Sequence, residues 1–245
     1  MKRALFAVTL VSAGLLALGP VFAAPPGVST GASATETAGR SARQKQVNPP
    51  PPPPAPTAVY RITINIAFDT STHPGTAPGN AHVSNPVIAT HSIPGAMFVV
   101  GGFASPGIET MAELGRTDTL VPELNAKPQV GTVQVTGGLF GIGTRVVDVT
   151  LTHSDDMISM VTMLAPSPDW FIGFADLDML GYGGWRQSAS FPLNSYDAGT
   201  DSGPNFNSND ADTQPSETIS GPRDPAFIAS AGQNPFGTVS ITRIG

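Results

Sequence analysis

Arg145-Val146-Val147-Asp148-Val149-Thr150-Leu151 alternates in polarity, and Ile158-Ser159-Met160-Val161-Thr162-Met163 repeats the same period of two. Successive side chains of a strand point to opposite faces, so this period marks extended chain with one buried face. Tyr60-Arg61-Ile62-Thr63-Ile64-Asn65-Ile66 reads the same way. Shorter apolar runs bounded by Pro and Gly predict strands at Val87–His91 and Ala96–Val100. Others are expected at Val130–Val135, Thr144–Thr152, Met157–Leu164, Trp170–Phe174 and Phe236–Thr242. Helical signals are few. Ser105 can cap a helix whose first turn holds Pro106, with Ile108, Met111, Ala112 and Leu114 at helical spacing and Gly115 as its stop. A second short helix is expected at Leu120–Asn125. Many short strands and one or two small helices, with no internal repeat, predict an all-β sandwich or barrel.

The N-terminal part is different. Lys2 and Arg3 precede an apolar run from Ala4 to Leu18, and Val21-Phe22-Ala23 offers a cleavage site, so residues 1–23 read as a secretory signal peptide. Residues 24–57 read as a disordered Pro-rich linker, with six consecutive prolines from Pro49 to Pro54 favouring a stiff polyproline II spacer. Gly27-Val28-Ser29-Thr30-Gly31 matches a hydrolase G-x-S-x-G pattern in letters only, because neither a strand nor a helix flanks it. Residues 58–245 are left as one folded domain, large enough to bury its own core. The chain has no Cys, which excludes disulfides, thiolate metal sites and a Cys-linked lipid anchor. Removing the signal takes two bases and no acids, moving the net charge from −6 to −8. That balance argues against nucleic acid and anionic membranes as partners. No membrane span is expected once the signal is gone.

Few residues suggest catalysis. His73 and His82 fall in a Pro/Gly/Asn-rich loop, where surface positions are expected; His91 and His153 fall at strand ends, as solvated or capped residues. Gly141-Ile142-Gly143 reads as a hairpin turn. Acids are more informative. Nine of the 18 lie between Pro166 and Asp224, with only Arg186 and Arg223 to balance them. A hard cation needs several oxygens at once. Asp197 and Asp201 lie four apart across a Gly-containing turn, and Asp169 sits on another Pro-flanked loop that can approach them. The same spacing suits simple Asx turns, and spacing alone favours neither. Asn205 to Ser216 imitates an EF-hand loop but lacks its Gly and its final Glu. Asp176 and Asp178 read as rim or turn residues, and Trp170 and Trp185 as core.

Pro166-Ser167-Pro168-Asp169-Trp170-Phe171-Ile172-Gly173, with Asp197-Ala198-Gly199-Thr200-Asp201-Ser202-Gly203, resembles the spondin domain of the F-spondin/mindin type in its bacterial secreted form. Ala104-Ser105-Pro106-Gly107, Ala112-Glu113-Leu114-Gly115, Trp185 and the last β-run fit the same family. The resemblance implies a C2-like antiparallel β-sandwich of about eight strands that binds one Ca2+ through Asp169, Asp197 and Asp201. The cysteines and thrombospondin modules of the animal members are absent from this chain.

The expected function is a secreted or periplasmic, monomeric, non-enzymatic module for adhesion or recognition of a protein or polysaccharide at the cell envelope or extracellular matrix. Two alternatives stand beside it: a calcium-dependent hydrolase working in the acidic cleft, and a purely structural envelope protein.

Overall fold

The computed structural model describes residues 53–75, 77–221 and 235–245. The expected signal peptide (1–23), most of the expected linker (24–57) and the Gly27–Gly31 pattern lie outside the described residues. One sheet has four strands in the order β11 (Ser188–Pro192), β13 (Gly237–Arg243), β1 (Thr57–Ala67) and β6 (Ile142–Thr152). The second sheet starts with β12 (Asn194–Asp197), β8 (Trp170–Asp178) and β7 (Met157–Ala165). The far edge of β7 is shared. One part pairs with β3 (Val87–His91), which carries β4 (Val130–Val135); the other pairs with β2 (His82–Val83), which carries β5 (Leu139–Phe140). A separate hairpin joins β9 (Leu180–Gly181) to β10 (Gly184–Trp185). Every strand pairing is antiparallel.

The two sheets face each other across the main core. Ile62, Ile64, Val149, Leu151, Val239 and Ile241 come from the first sheet; Ile158, Met160, Leu164, Trp170 and Ile172 come from the second. The alternation along β1 and β13 therefore reports one buried face, as their sequence predicts. Strand β7 does not: from Ile158 to Ala165 every residue is buried. Helices α1 (Pro106–Leu114) and α2 (Leu120–Asn125) cover its outer face. They place Ile108, Met111, Ala112, Leu120 and Leu124 against Val87, Ala89, Val161, Met163 and Phe171. The domain is an antiparallel β-sandwich with a helical layer on one side.

Helix α1 begins and ends where its sequence indicates. Ser105 Oγ accepts the Ile108 amide at 3.3 Å, and Gly115 closes the helix in the left-handed conformation. Gly141 turns the chain between β5 and β6 at φ 62°. Ala96–Val100 is not a strand. It is irregular chain in which Met97 and Phe98 are buried while Val99 and Val100 are about half exposed. Its apolar run looks like a strand, but its inward residues feed the helical layer and no sheet edge receives it.

Phe171 and Ile172 are neighbours on opposite faces of β8, one under the helices and one between the sheets, both fully buried. Phe171→Ala should cost about 3–5 kcal/mol and Ile172→Ala about 2–5 kcal/mol in urea unfolding. A near-neutral Phe171→Ala would mean that the helical layer does not cover the sheet.

Candidate metal centre

The Pro166–Asp169 loop links β7 to β8. Ser167 Oγ accepts the Trp170 amide at 3.1 Å, which tightens the turn and carries Asp169 inward. Asp169 is fully buried. Its Oδ2 accepts the amides of Thr200 at 2.8 Å and Asp201 at 3.2 Å, so the carboxylate of one loop organises the backbone of the other. Its Oδ1 is buried without a hydrogen-bond partner. Burial, and then the charge of Asp197, push the carboxyl up to about 6, although the Thr200 and Asp201 amides oppose the shift.

The other two aspartates lie where the sequence puts them, at the same end of the sandwich. Asp197 closes β12 opposite Trp170, 9% exposed, and its Oδ1 accepts the Gly199 amide at 3.0 Å. Asp201 is 8% exposed; its Oδ1 accepts from Gly203 at 2.7 Å and its Oδ2 from Ala211 at 3.1 Å. Both thus make the Asx turns left open above, each two residues ahead. Gly199 permits this path. It has φ 75°, and a side chain there would meet the Glu217 carbonyl oxygen at 2.5 Å. A cavity of about 230 Å³ opens beside these loops, lined by Trp170, Asp197, Gly199, Asp201 and Glu217 among others. Among the described residues no group of three or more His, Asp or Glu side chains stands as a ready-made metal site. Asp169 Oδ2, Asp197 Oδ1 and both oxygens of Asp201 turn instead to backbone amides.

Two further carboxylates belong to this end. Glu113 of α1 has its acidity weakened by burial, while a hydrogen bond from Thr200 acts the other way and Glu109, Asp169 and Asp201 add like charge. Glu217 reaches the cavity through the segment that pairs Phe103 with Thr218 and Asp197 with Ser220. Neither was expected at the site: the Ala-Glu-x-Gly ending of the helix carries Glu113 only as part of a motif, and nothing local marks Glu217.

The remaining candidates lie elsewhere. Trp170 and Trp185 are core, 2% and 6% exposed. Asp178 closes a turn by accepting the Leu180 amide at 2.7 Å, and Asp176, at φ 59°, accepts the Gly95 amide. His73, expected at the surface, is fully buried and stacks on Phe236 with centroids 4.8 Å apart. Its loop folds back over the end of the main core. His91 is buried too. Its Nδ1–H donates to the Ile93 carbonyl and its Nε2 lies 2.8 Å from Ser159 Oγ, with Asp176 Oδ1 at 3.7 Å. The letters are those of a triad, but both His91 and Ser159 are fully buried, beyond reach of a substrate.

The sequence profile of the Spondin_N family matches residues 58–236. The chain belongs to the Spondin_N family. Human Spondin-2 is 32% identical over 138 residues, covering 54% of this chain and 41% of that protein. Rat Spondin-2 is 30% identical over 174 residues, covering 67% and 52%. Rat Spondin-1 is 31% identical over 179 residues, covering 66% of this chain and 21% of its own length. The chain thus spans about half, or less, of the curated relatives it matches. The Spondin_N family is one of secreted proteins. Among the described residues no helix is long and apolar enough to cross a membrane.

Burial depresses the His91 pKa below its ordinary value of 6.5, against the pull of the Ile93 carbonyl and the charges of Asp176, Asp156 and Asp155. A base with a depressed folded-state pKa stabilises the fold fully above the unfolded value, and that contribution is lost as pH falls below it. As pH falls from 7.5 to 5 His91 should therefore lower the melting temperature while Asp169, its carboxyl pushed up to about 6, acts the other way, so the melting temperature of wild type relative to His91→Gln should fall across this window. Parallel profiles for the two proteins would remove His91 from the account.

Proposed function

We propose that this Spondin_N domain is a calcium-dependent, non-catalytic recognition module of an exported protein. In this reading residues 1–23 are removed on export, residues 24–57 are the spacer, and residues 58–245 fold as one unit. Asp169, Asp197 and Asp201 hold one Ca2+, and the loops around them meet a protein or polysaccharide ligand. The observation that carries the reading is Asp169 Oδ1, a fully buried carboxylate oxygen with no hydrogen bond, beside two other nearly buried aspartates. Leaving such an atom unpaired is costly, and a hard cation that prefers several oxygen ligands relieves it. Calcium would neutralise the mutual repulsion of this end and fix the geometry of the Pro166–Asp169 and Asp197–Gly203 loops. Carboxylates engaged on calcium stay ionised and make poor general acids, which favours recognition over hydrolysis.

Calcium at a hundred times its dissociation constant should stabilise the domain by about 2.7 kcal/mol. For a domain of this size that is roughly 5–10 °C in melting temperature. Asp201→Asn and Asp169→Asn should each abolish the shift. In chelator Asp169→Asn should melt no lower than wild type, because it removes a buried charge. Equal melting of wild type in calcium and in chelator, on protein shown to be metal-free by elemental analysis, would sink the calcium reading.

The ligand is sought by capture on immobilised protein from solubilised cell-envelope and matrix fractions, polysaccharide and protein separately. Retention in calcium that is lost in chelator and in Asp201→Asn supports recognition. Turnover of a glycan or ester library, lost in Asp197→Asn, would replace it with the hydrolase. Neither result, with deletion weakening only the envelope, would leave a structural protein.

A further inference from the structure

The β9–β10 hairpin makes a contact that the metal centre does not involve. Trp185 Nε1–H donates to the carbonyl of Ala55 at 2.7 Å. The ring of Pro54 lies against the bare backbone of Gly184, where a first side-chain carbon would stand 3.4 Å from Pro54 Cγ. The indole is braced behind. Tyr60 meets it edge-on at 6.3 Å and donates its hydroxyl to the Arg186 carbonyl at 2.7 Å, and the His153 ring lies 5.5 Å away. Residues 53–57 are themselves exposed, while Trp185 is 6% exposed.

The chemistry of these groups is selective. A proline-rich segment has few amide hydrogens, so it cannot be held by a β-ladder. It presents carbonyl oxygens and flat apolar rings along a stiff left-handed helix. A surface that reads it must supply a donor for a carbonyl and an apolar or aromatic seat for a ring. Trp185 and Gly184 supply both, and the segment leading into them contains Pro49–Pro54 and Pro56. The first residue that pairs in the sheet is Thr57, opposite Thr152, immediately after this contact.

We propose that the Trp185 hairpin is a docking site for polyproline II chain, occupied by the protein's own Pro53–Pro56 segment, so that the spacer meets the domain as a fixed strap. Its position gives the strap a direction. Trp185 pairs with Leu180, just beyond the end of β8 at Asp178, whereas Asp197 pairs with Trp170 at the start of β8. The eight steps from Trp170 to Asp178 cover about 26 Å. The spacer therefore joins the domain at the end opposite the three aspartates. The inference does not depend on calcium, and its test does not read metal.

The test follows the two indole N–H signals of the 15N-labelled full chain in chelator, with Trp185→Phe identifying the Trp185 signal. In wild type the Trp185 N–H should exchange with solvent at least tenfold more slowly than free tryptophan. Replacing Pro53, Pro54 and Pro56 by Gly, which leaves the buried core untouched, should speed that exchange at least fivefold without altering Trp170. A peptide with the sequence of residues 49–57, at millimolar concentration, should then shift the Trp185 signal of the triple-Gly protein and slow its exchange again, while leaving wild type unchanged. Free exchange in wild type, unchanged exchange in the triple-Gly protein, or a Trp185 signal there that does not respond to the peptide would each overturn the proposal.

Discussion

Two strands buried on both faces set the terms for this fold. From Ile158 to Ala165 strand β7 has no exposed residue, and β8 buries its first five. A strand in that position cannot face water on either side, so something must cover each face. The four-stranded sheet covers one, through Ile62, Ile64, Val239 and Ile241. The other requires α1 and α2, together with Met97 and Phe98 from an irregular segment between β3 and α1. The loops that hold the aspartates are extensions of these same strands: Asp169 immediately precedes β8, and Asp197 ends the β12 strand paired to it. The position of the acidic end follows from the doubly covered centre of the sheet.

The sequence made β1, β6 and β13 of the four-stranded sheet and both helices legible because local signals and tertiary environment agree there. Polar Arg61, Thr63 and Asn65 alternate with buried Ile62, Ile64 and Ile66. The caps of α1 are chemical features of single residues. Legibility failed where burial depends on distant partners. Ser159 and Thr162 are polar yet fully buried. They are satisfied by His91 and by the backbone of Ser84, contacts across 68 and 78 residues of chain that no local period announces. The same applies to Ser188–Pro192 and Asn194–Asp197, short strands defined by their neighbours more than by their composition. Ala96–Val100 is the opposite case, a strand-like pattern without an edge to join.

At the acidic end the motif residues were readable and their state was not. Asp169, Asp197 and Asp201 were named from two separated motifs, and the fold brings their loops together through the bonds from Thr200 and Asp201 to Asp169. The choice between Asx turn and ligand could not come from spacing, because the same carboxylates can do both. Asp197 and Asp201 make the turns, and the proposal of a ligand role rests on the buried, unpaired oxygen of Asp169 beside them. Glu113 and Glu217 join the cluster from a helix and from a loop distant in sequence, which a linear reading has no means of connecting.

The first strand begins beside the last residue. The Gly245 carbonyl accepts the Val59 amide at 3.1 Å, and Ile244 returns a bond to the Val59 carbonyl at 2.8 Å. Any polypeptide spliced on before Thr57 or after Gly245 would therefore start from the same rim. Copies joined in series would hang from their common thread like fruit on a stem, each with its carboxylate tip outward. The junction itself would lie at the end away from the three aspartates and leave their loops uncovered.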